Sequence, residues 1–239
     1  YPRVAIAFSG GVDSAYLLYA ATRYARAVQA YYVKSDFQPQ FELEDALRLA
    51  EDMHAALKVL RVDVLSDAQV TANPPNRCYF CKRRIFETIR AQAAADGFSV
   101  LLDGTNASDD VNDRPGVRAL EELSVLSPLR MCSLTKDEIR RLSKEAGLFT
   151  WDKPAYACLA TRIPSGDAIT LEKLRATERA EGALFAMGFR DFRVRRMGDA
   201  AKLQLRDDQL NMALANRERI LSVLRGDYSA VLLDLEVRK

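Results

Sequence analysis

Residues 4–8 (Val4, Ala5, Ile6, Ala7 and Phe8) form an unbroken apolar run that stops at Ser9, Gly10 and Gly11. A run without polar alternation suits a strand covered on both faces, as in a parallel sheet. Residues 29–33, 59–64 and 98–102 read as three further strands. Between them the apolar positions recur every three or four residues. Leu17, Leu18 and Ala21 mark a helix over 14–24. Leu43, Ala46, Leu47, Ala50, Met53 and Leu57 mark one over 40–57, and Ile85, Phe86 and Ile89 one over 82–95. Thr135 followed by Glu138 is a capping box, opening a helix that ends near Gly147. This alternation predicts an α/β domain, a parallel twisted sheet with helices on both faces.

The pattern changes near Trp151. A loop over 153–166 carries Pro, Ser and Gly and leads into a helix over 170–187, which Gly188 is placed to end. Strands over 189–197 and 201–205, a helix over 208–224 and a strand over 228–235 follow. The expected division is an α/β domain over 1–150 and a small C-terminal α+β domain over 151–239.

Composition narrows the class. The 239 residues are 49% hydrophobic and 28% charged, which is globular. A net charge of +2 is too small to argue for a nucleic-acid partner and does not exclude RNA, and no apolar run approaches the roughly 20 residues of a membrane span. The chain opens directly on strand and loop, with no signal peptide in view. Four cysteines, Cys78, Cys81, Cys132 and Cys158, then read as reduced thiols of a cytoplasmic protein. The one histidine, His54, falls inside the second predicted helix and reads as a surface residue. It argues against a histidine metal site and against Ser-His-Asp catalysis.

Candidate chemistry centres on the loop Ser9, Gly10, Gly11, Val12, Asp13 and Ser14. In open α/β sheets ligands bind beyond the carboxyl ends of the strands, and this loop lies there. Gly10 and Gly11 let backbone approach a phosphate, the following helix offers unpaired N–H groups, and Ser9 and Ser14 add hydroxyls. Asp13 is suited to a phosphate-bound Mg2+. The loop is neither a Walker A nor a Gly-x-Gly-x-x-Gly sequence.

The Ser-Gly-Gly-Val-Asp-Ser sequence resembles the signature of the PP-loop ATP pyrophosphatases. That resemblance implies cleavage of ATP to AMP and pyrophosphate, with a substrate oxygen taking the AMP. Asp103, Gly104, Thr105 and Asn106, after the fourth strand, resemble a nucleotide-side element of the same fold, so Gly104 and Thr105 join the expected ATP site.

Further stretches narrow the resemblance. They are 76–82 (Asn-Arg-Cys-Tyr-Phe-Cys-Lys), Arg114-Pro115-Gly116, 151–164 around Cys158, and Phe192-Arg193-Val194-Arg195. Together they resemble the LarE sulfur transferases from about residue 4 to 237. The resemblance implies adenylation of a carboxylate of a pyridinium biscarboxylate mononucleotide and its conversion to a thiocarboxylate. It also implies a homo-oligomer. Some members take sulfur from their own cysteine, which becomes dehydroalanine; others hold a [4Fe-4S] cluster on three cysteines. Cys158 matches the functional cysteine, and Lys153 and Arg162 beside it would favour its thiolate. Cys78 and Cys81 match the pair of the three-cysteine members, and three thiolates leave one iron open. The cluster-bearing form on Cys78, Cys81 and Cys158 is the favoured reading, with Cys158 as sacrificial donor the alternative. Cys132 matches no motif and reads as a small buried hydrophobe.

Arg193 and Arg195 share a strand face, and with Arg162 they are the expected anion-binding residues for a small-molecule nucleotide substrate. The family carries an acidic metal site in its second domain. Glu181 matches one member, but Gln204 stands where another acid is expected. A tRNA thiolase and a non-enzymatic ATP sensor complete the alternatives.

Overall fold

The computed structural model describes residues 1–110 and 115–238, which divide into two compact units. The first comprises residues 1–70 and 75–153, the second 71–74 and 154–239.

In the first unit, β1 (Arg3–Ala7) leads into α1 (Val12–Tyr24), β2 (Ala27–Lys34), α2 (Gln40–Asp52) and β3 (Leu57–Arg61). A short α3 (Ala68–Thr71) and the long α4 (Arg77–Ala95) follow, then β4 (Leu101–Leu102), α5 (Pro115–Glu122), α6 (Pro128–Met131) and α7 (Lys136–Glu145). The sheet order is β3-β2-β1-β4 and every pairing is parallel. Val4, Ile6 and Phe8 of the opening run are buried with Leu17, Leu18, Leu43, Leu49 and Ile139 in one core, as a strand covered on both faces requires.

The capping box forms as read. Thr135 Oγ1 accepts from the Glu138 amide, and the Glu138 carboxylate accepts from the Thr135 amide at 2.8 Å. Gly147 follows α7 at a φ of +73. Two helix boundaries differ from the expectation by five residues. Helix α2 stops at Asp52, leaving His54 beyond it at a φ of +50. Helix α4 begins at Arg77, five residues earlier than the apolar spacing indicates, because its first turns carry Cys, Tyr and Lys rather than an apolar stripe. The helices α5 and α6 have too few residues to show a period.

In the second unit, α8 (Leu171–Ala186) precedes the strands β5 (Arg193–Met197) and β6 (Ala200–Gln204). The expected single helix over 208–224 is two, α9 (Leu210–Ala215) and α10 (Arg217–Leu224), broken at Asn216, and β7 (Ala230–Leu233) follows. Strands β5 and β6 are antiparallel, joined at Gly198 with its positive φ, and β7 adds to β6 in parallel. Leu184, Phe189, Phe192, Val194, Leu203 and Ile220 are among its core residues. The segment 71–74 belongs here because the Asn73 amide donates to Pro164 O at 2.7 Å and Asp167 O at 3.1 Å.

Candidate active site

The strand order of the first unit turns back between β1 and β4: the chain runs outward from β1 through β2 to β3, then returns to β1's other side. Such a switch point leaves a crevice beyond the carboxyl ends of the two strands. The loop over 9–14 follows β1, and Asp103, Gly104, Thr105 and Asn106 follow β4. The two loops abut. A Cβ placed on Gly104 would sit 2.9 Å from the Ser14 amide nitrogen and 3.2 Å from its Cα, so glycine at 104 is what lets the second loop close on the first.

Gly10 has a φ of +75, and a Cβ there would meet Ala46 at 3.2 Å. The loop is braced by its serines: Ser14 Oγ accepts from the Ser9 amide at 3.2 Å, donates to Gly11 O at 3.2 Å and lies 3.0 Å from Ser9 Oγ. Gly11 caps α1 in extended conformation, and Val12 is buried beneath the first turn. The N–H groups of that turn and the Ser9 hydroxyl are groups that can cradle an anion, with the positive end of the helix dipole behind them.

Asp13 does not stand alone. Its Oδ1 accepts from the Asn106 amide at 3.2 Å and its Oδ2 from Lys136 Nζ at 2.5 Å. The buried Asp103 is also occupied, accepting from Ser127 at 2.6 Å and from Thr105 at 2.5 Å. A resident magnesium ion fits poorly here, because the cation beside Asp13 is an ammonium and both Asp13 oxygens are taken. Lys136 is the residue the sequence reading missed. A lysine in the first turn of α7 opposes the helix dipole, and that misplaced charge directly after a capping threonine was the available signal.

Cys78 and Cys81 lie in the first turns of α4, one turn apart on one face, Cys78 exposed and Cys81 half-buried. Arg77 donates to the Cys78 sulfur at 3.5 Å. Two cysteine sulfurs on one helix face are soft donors, so the donor chemistry fits two ligands of an iron–sulfur cluster. Cys158, the third expected ligand, belongs to the second unit. Among the described residues no group of three or more His, Cys, Asp or Glu side chains is gathered for a metal ion. Cys132 is exposed at the end of α6 rather than buried. Arg114 of the expected motif lies outside the described residues.

In the second unit Cys158 is half-buried and caps a 3-10 turn, Leu159–Arg162. Arg162 requires correction. It is not an anion ligand: its side chain is 0% exposed and paired with Glu181, itself 2% exposed. Nε meets Oε1 at 2.8 Å and Nη2 meets Oε2 at 3.0 Å, while Nη1 donates to Ala157 O at 2.9 Å and Thr161 Oγ1 at 2.8 Å. Glu181 also accepts from the Val194 amide at 2.9 Å and from the Tyr156 hydroxyl. Burial first, then the Glu181 charge, raises the Tyr156 pKa, so its proton stays on oxygen.

Arg193 donates to Phe192 O and Ala155 O, and Arg195 to Gln204 and, at 2.8 Å, to Thr161 O. Burial, followed by the charges of Arg162 and Arg238, pulls Arg193 down to about 10 and lowers Arg195 as well. The acidic metal site does not fit these residues. Glu181 is spent on Arg162, and Gln204 donates to Asp234 at 2.9 Å, which in turn carries Lys202 at 2.8 Å. Lys153, expected to favour the Cys158 thiolate, lies in the first unit and pairs with Glu42 at 3.0 Å and Asp45 at 2.7 Å. A cavity of about 360 Å3 at the far end of α1, with His54 on its lining, takes in neither phosphate loop.

Comparison with known proteins bears on this arrangement directly. A pyridinium-3,5-bisthiocarboxylic acid mononucleotide synthase of Lactiplantibacillus plantarum is 31% identical over 98% of this chain and 86% of its own length. The chain belongs to that family, the LarE sulfur transferases. An uncharacterised protein of Synechocystis sp. is 36% identical, again over 98% of this chain and 89% of its own. A tRNA-specific 2-thiouridylase of Pseudothermotoga lettingae is 28% identical over 69% of this chain and 57% of that protein. No family model matches the chain. Membership makes the chain a sulfur-transferring enzyme on a PP-loop fold, and no helix among the described residues is long and apolar enough to cross a membrane.

Proposed function

We propose that this LarE-family enzyme adenylates a carboxylate of pyridinium-3,5-biscarboxylic acid mononucleotide and exchanges the activated oxygen for sulfur. The observation that supports the first half is the close approach of Gly104 to Ser14 at the sheet's switch point, which brings the two loops together. ATP would lay its leaving pyrophosphate in the cradle of Ser9, Gly10, Gly11, Val12, Asp13 and Ser14, with Gly104 and Thr105 on the nucleotide side. The substrate carboxylate oxygen attacks the α-phosphorus, pyrophosphate leaves, and an acyl-adenylate results. Lys136, held beside the loop by Asp13, would carry positive charge to the phosphates. Magnesium enters as the counter-ion of ATP.

Sulfur transfer falls to Cys158, with Cys78 and Cys81 where a cluster is bound. These three cysteines would hold a [4Fe-4S] cluster as soft thiolates, and the cluster would supply a binding place for inorganic sulfide at an iron they leave open. In the sacrificial alternative the Cys158 thiolate attacks the acyl carbon and AMP leaves as a thioester forms. Loss of the Cys158 Cα proton then breaks the Cβ–S bond, leaving dehydroalanine and the thiocarboxylate. Arg193 and Arg195 are the proposed seat of the substrate phosphate, Arg195 being the more exposed of the two. The enzyme is proposed to act as a cytoplasmic homo-oligomer without a nucleic-acid partner.

Intact mass after a single turnover, alongside anaerobic iron and sulfide analysis, separates the two routes. The cluster route predicts a brown protein of unchanged mass, with colour lost on mutation of Cys78, Cys81 or Cys158. A fall by one hydrogen sulfide would establish the sacrificial route instead.

A further inference from the structure

The arginines of the second unit converge on a single stretch of backbone. Arg193 donates to Ala155 O, Arg162 to Ala157 O at 2.9 Å, with Cys158 O at 3.4 Å, and Arg195 to Thr161 O at 2.8 Å. Two of the guanidiniums come from β5 and one from the 3-10 turn itself. Cys158 sits in the middle of the carbonyls they hold. Only Arg162 is anchored in turn by a buried carboxylate. Glu181 receives it through two parallel bonds, holds the Val194 amide of β5 from one oxygen and takes the Tyr156 hydroxyl on the other. The Tyr156 ring is flanked by two guanidiniums, with Arg162 4.6 Å and Arg193 5.4 Å from its centroid.

We infer that Arg162 is a positioning residue for Cys158, fixing the backbone of the sulfur-bearing segment to α8 through Glu181. A buried ion pair is seldom the most stable way to fill a core, since two well-packed apolar residues of similar volume do as well or better. What apolar residues cannot do is tie the Ala157 and Cys158 carbonyls to α8 and, through Glu181, to β5. The planar fork of arginine does so with all three of its nitrogens, and a lysine has no fork to offer. A nucleophile displaced by an ångström loses much of its advantage of proximity, so the segment has a reason to be held at several points.

The inference rests on the reading that Cys158 carries the sulfur-transfer step, and the test separates the two. The full chain is compared with Arg162→Lys and with the apolar exchange Arg162→Met/Glu181→Met, which keeps core volume while removing the anchor. Four readouts are taken: substrate-dependent ATP–pyrophosphate exchange, kcat and KM for thiocarboxylate formation, thermal unfolding, and iodoacetamide alkylation. Alkylation is measured with an iron chelator present, as the ratio of Cys158 to the exposed Cys132 in the same sample.

The expected result is a fall of about 100-fold in kcat for thiocarboxylate formation. Exchange and KM stay within about twofold, and the Cys158 to Cys132 ratio changes by about threefold or more. A mere packing role would move melting temperature and exchange together and leave the alkylation ratio alone, and that result overturns the inference. So does an unchanged kcat in both variants, or failure of both to fold. Should Cys158→Ala form thiocarboxylate at the parental rate, the sulfur-transfer reading itself has failed, whatever the Arg162 variants do.

Discussion

The ideal Cβ of an alanine at position 104 would lie 2.9 Å from the Ser14 amide nitrogen, a backbone atom that cannot swing aside. Gly104→Ala should therefore push the two loops apart at the cradle rather than unfold the sheet. A displacement of that order at a reacting centre costs about 100-fold, to be read as substrate-dependent pyrophosphate exchange with the melting temperature little changed. Equal exchange in the two proteins would remove the close approach from the account. Residues of this kind were legible in the sequence because glycine declares a backbone requirement. Lys136 and Arg162 were not read correctly, and for one reason: a charged side chain does not reveal its partner. Lys136 sits 123 positions from Asp13 in the chain. Arg162, adjacent to the cysteine, looked like an anion ligand until Glu181, 19 residues on, was found against it.

Among the elements, α7 is the one whose start the sequence marks most clearly, and its capping box forms in full. Thr135→Ala removes one of its two reciprocal bonds and should lower stability by about 1 kcal/mol in denaturant unfolding. No change would mean that the neighbouring Lys136–Asp13 pair, not the cap, holds the helix start. Helix α4 shows the opposite case. Its first turns, Arg77 to Lys82, have no apolar stripe to announce them, so the cysteine pair falls outside the helix that the spacing predicts over 82–95. The consequence is chemical. One turn of helix sets Cys78 and Cys81 on a common face beside a helix N-terminus, an arrangement that a loop would leave undetermined. The break at Asn216 was equally invisible, because α9 and α10 together keep a helical spacing of apolar residues.

For the whole molecule, the parallel sheet follows from the alternation of strand and helix, but the pairing of β4 beside β1, which places two loops at one crevice, does not. Nor did the pattern foresee that residues 71–74 belong with the second unit, since Asn73 is tied there by a side-chain amide. The second unit also carries a pH signature. Hydrogen bonds from Lys202 first, then Gln204, lower the Asp234 pKa to about 2 from 3.8. A depressed carboxylate stabilises the fold above its unfolded pKa and loses that contribution as pH falls through the folded one. The melting-temperature difference between the parent and Lys202→Met should thus be constant above about pH 4 and shrink as pH drops toward 2. A difference independent of pH would show that the pair contributes nothing through charge.

The division of labour between the two units is the centre of the account, and one protein variant reaches it most directly. Cys158→Ala is supplied with ATP and pyridinium-3,5-biscarboxylic acid mononucleotide, and pyrophosphate exchange and thiocarboxylate are measured together. The account predicts exchange within about twofold of the parent with no thiocarboxylate formed, since the cradle at Ser9 to Ser14 lies wholly in the first unit and Cys158 in the second. Thiocarboxylate at the parental rate without Cys158, or a parent enzyme that shows no substrate-dependent exchange, would contradict it.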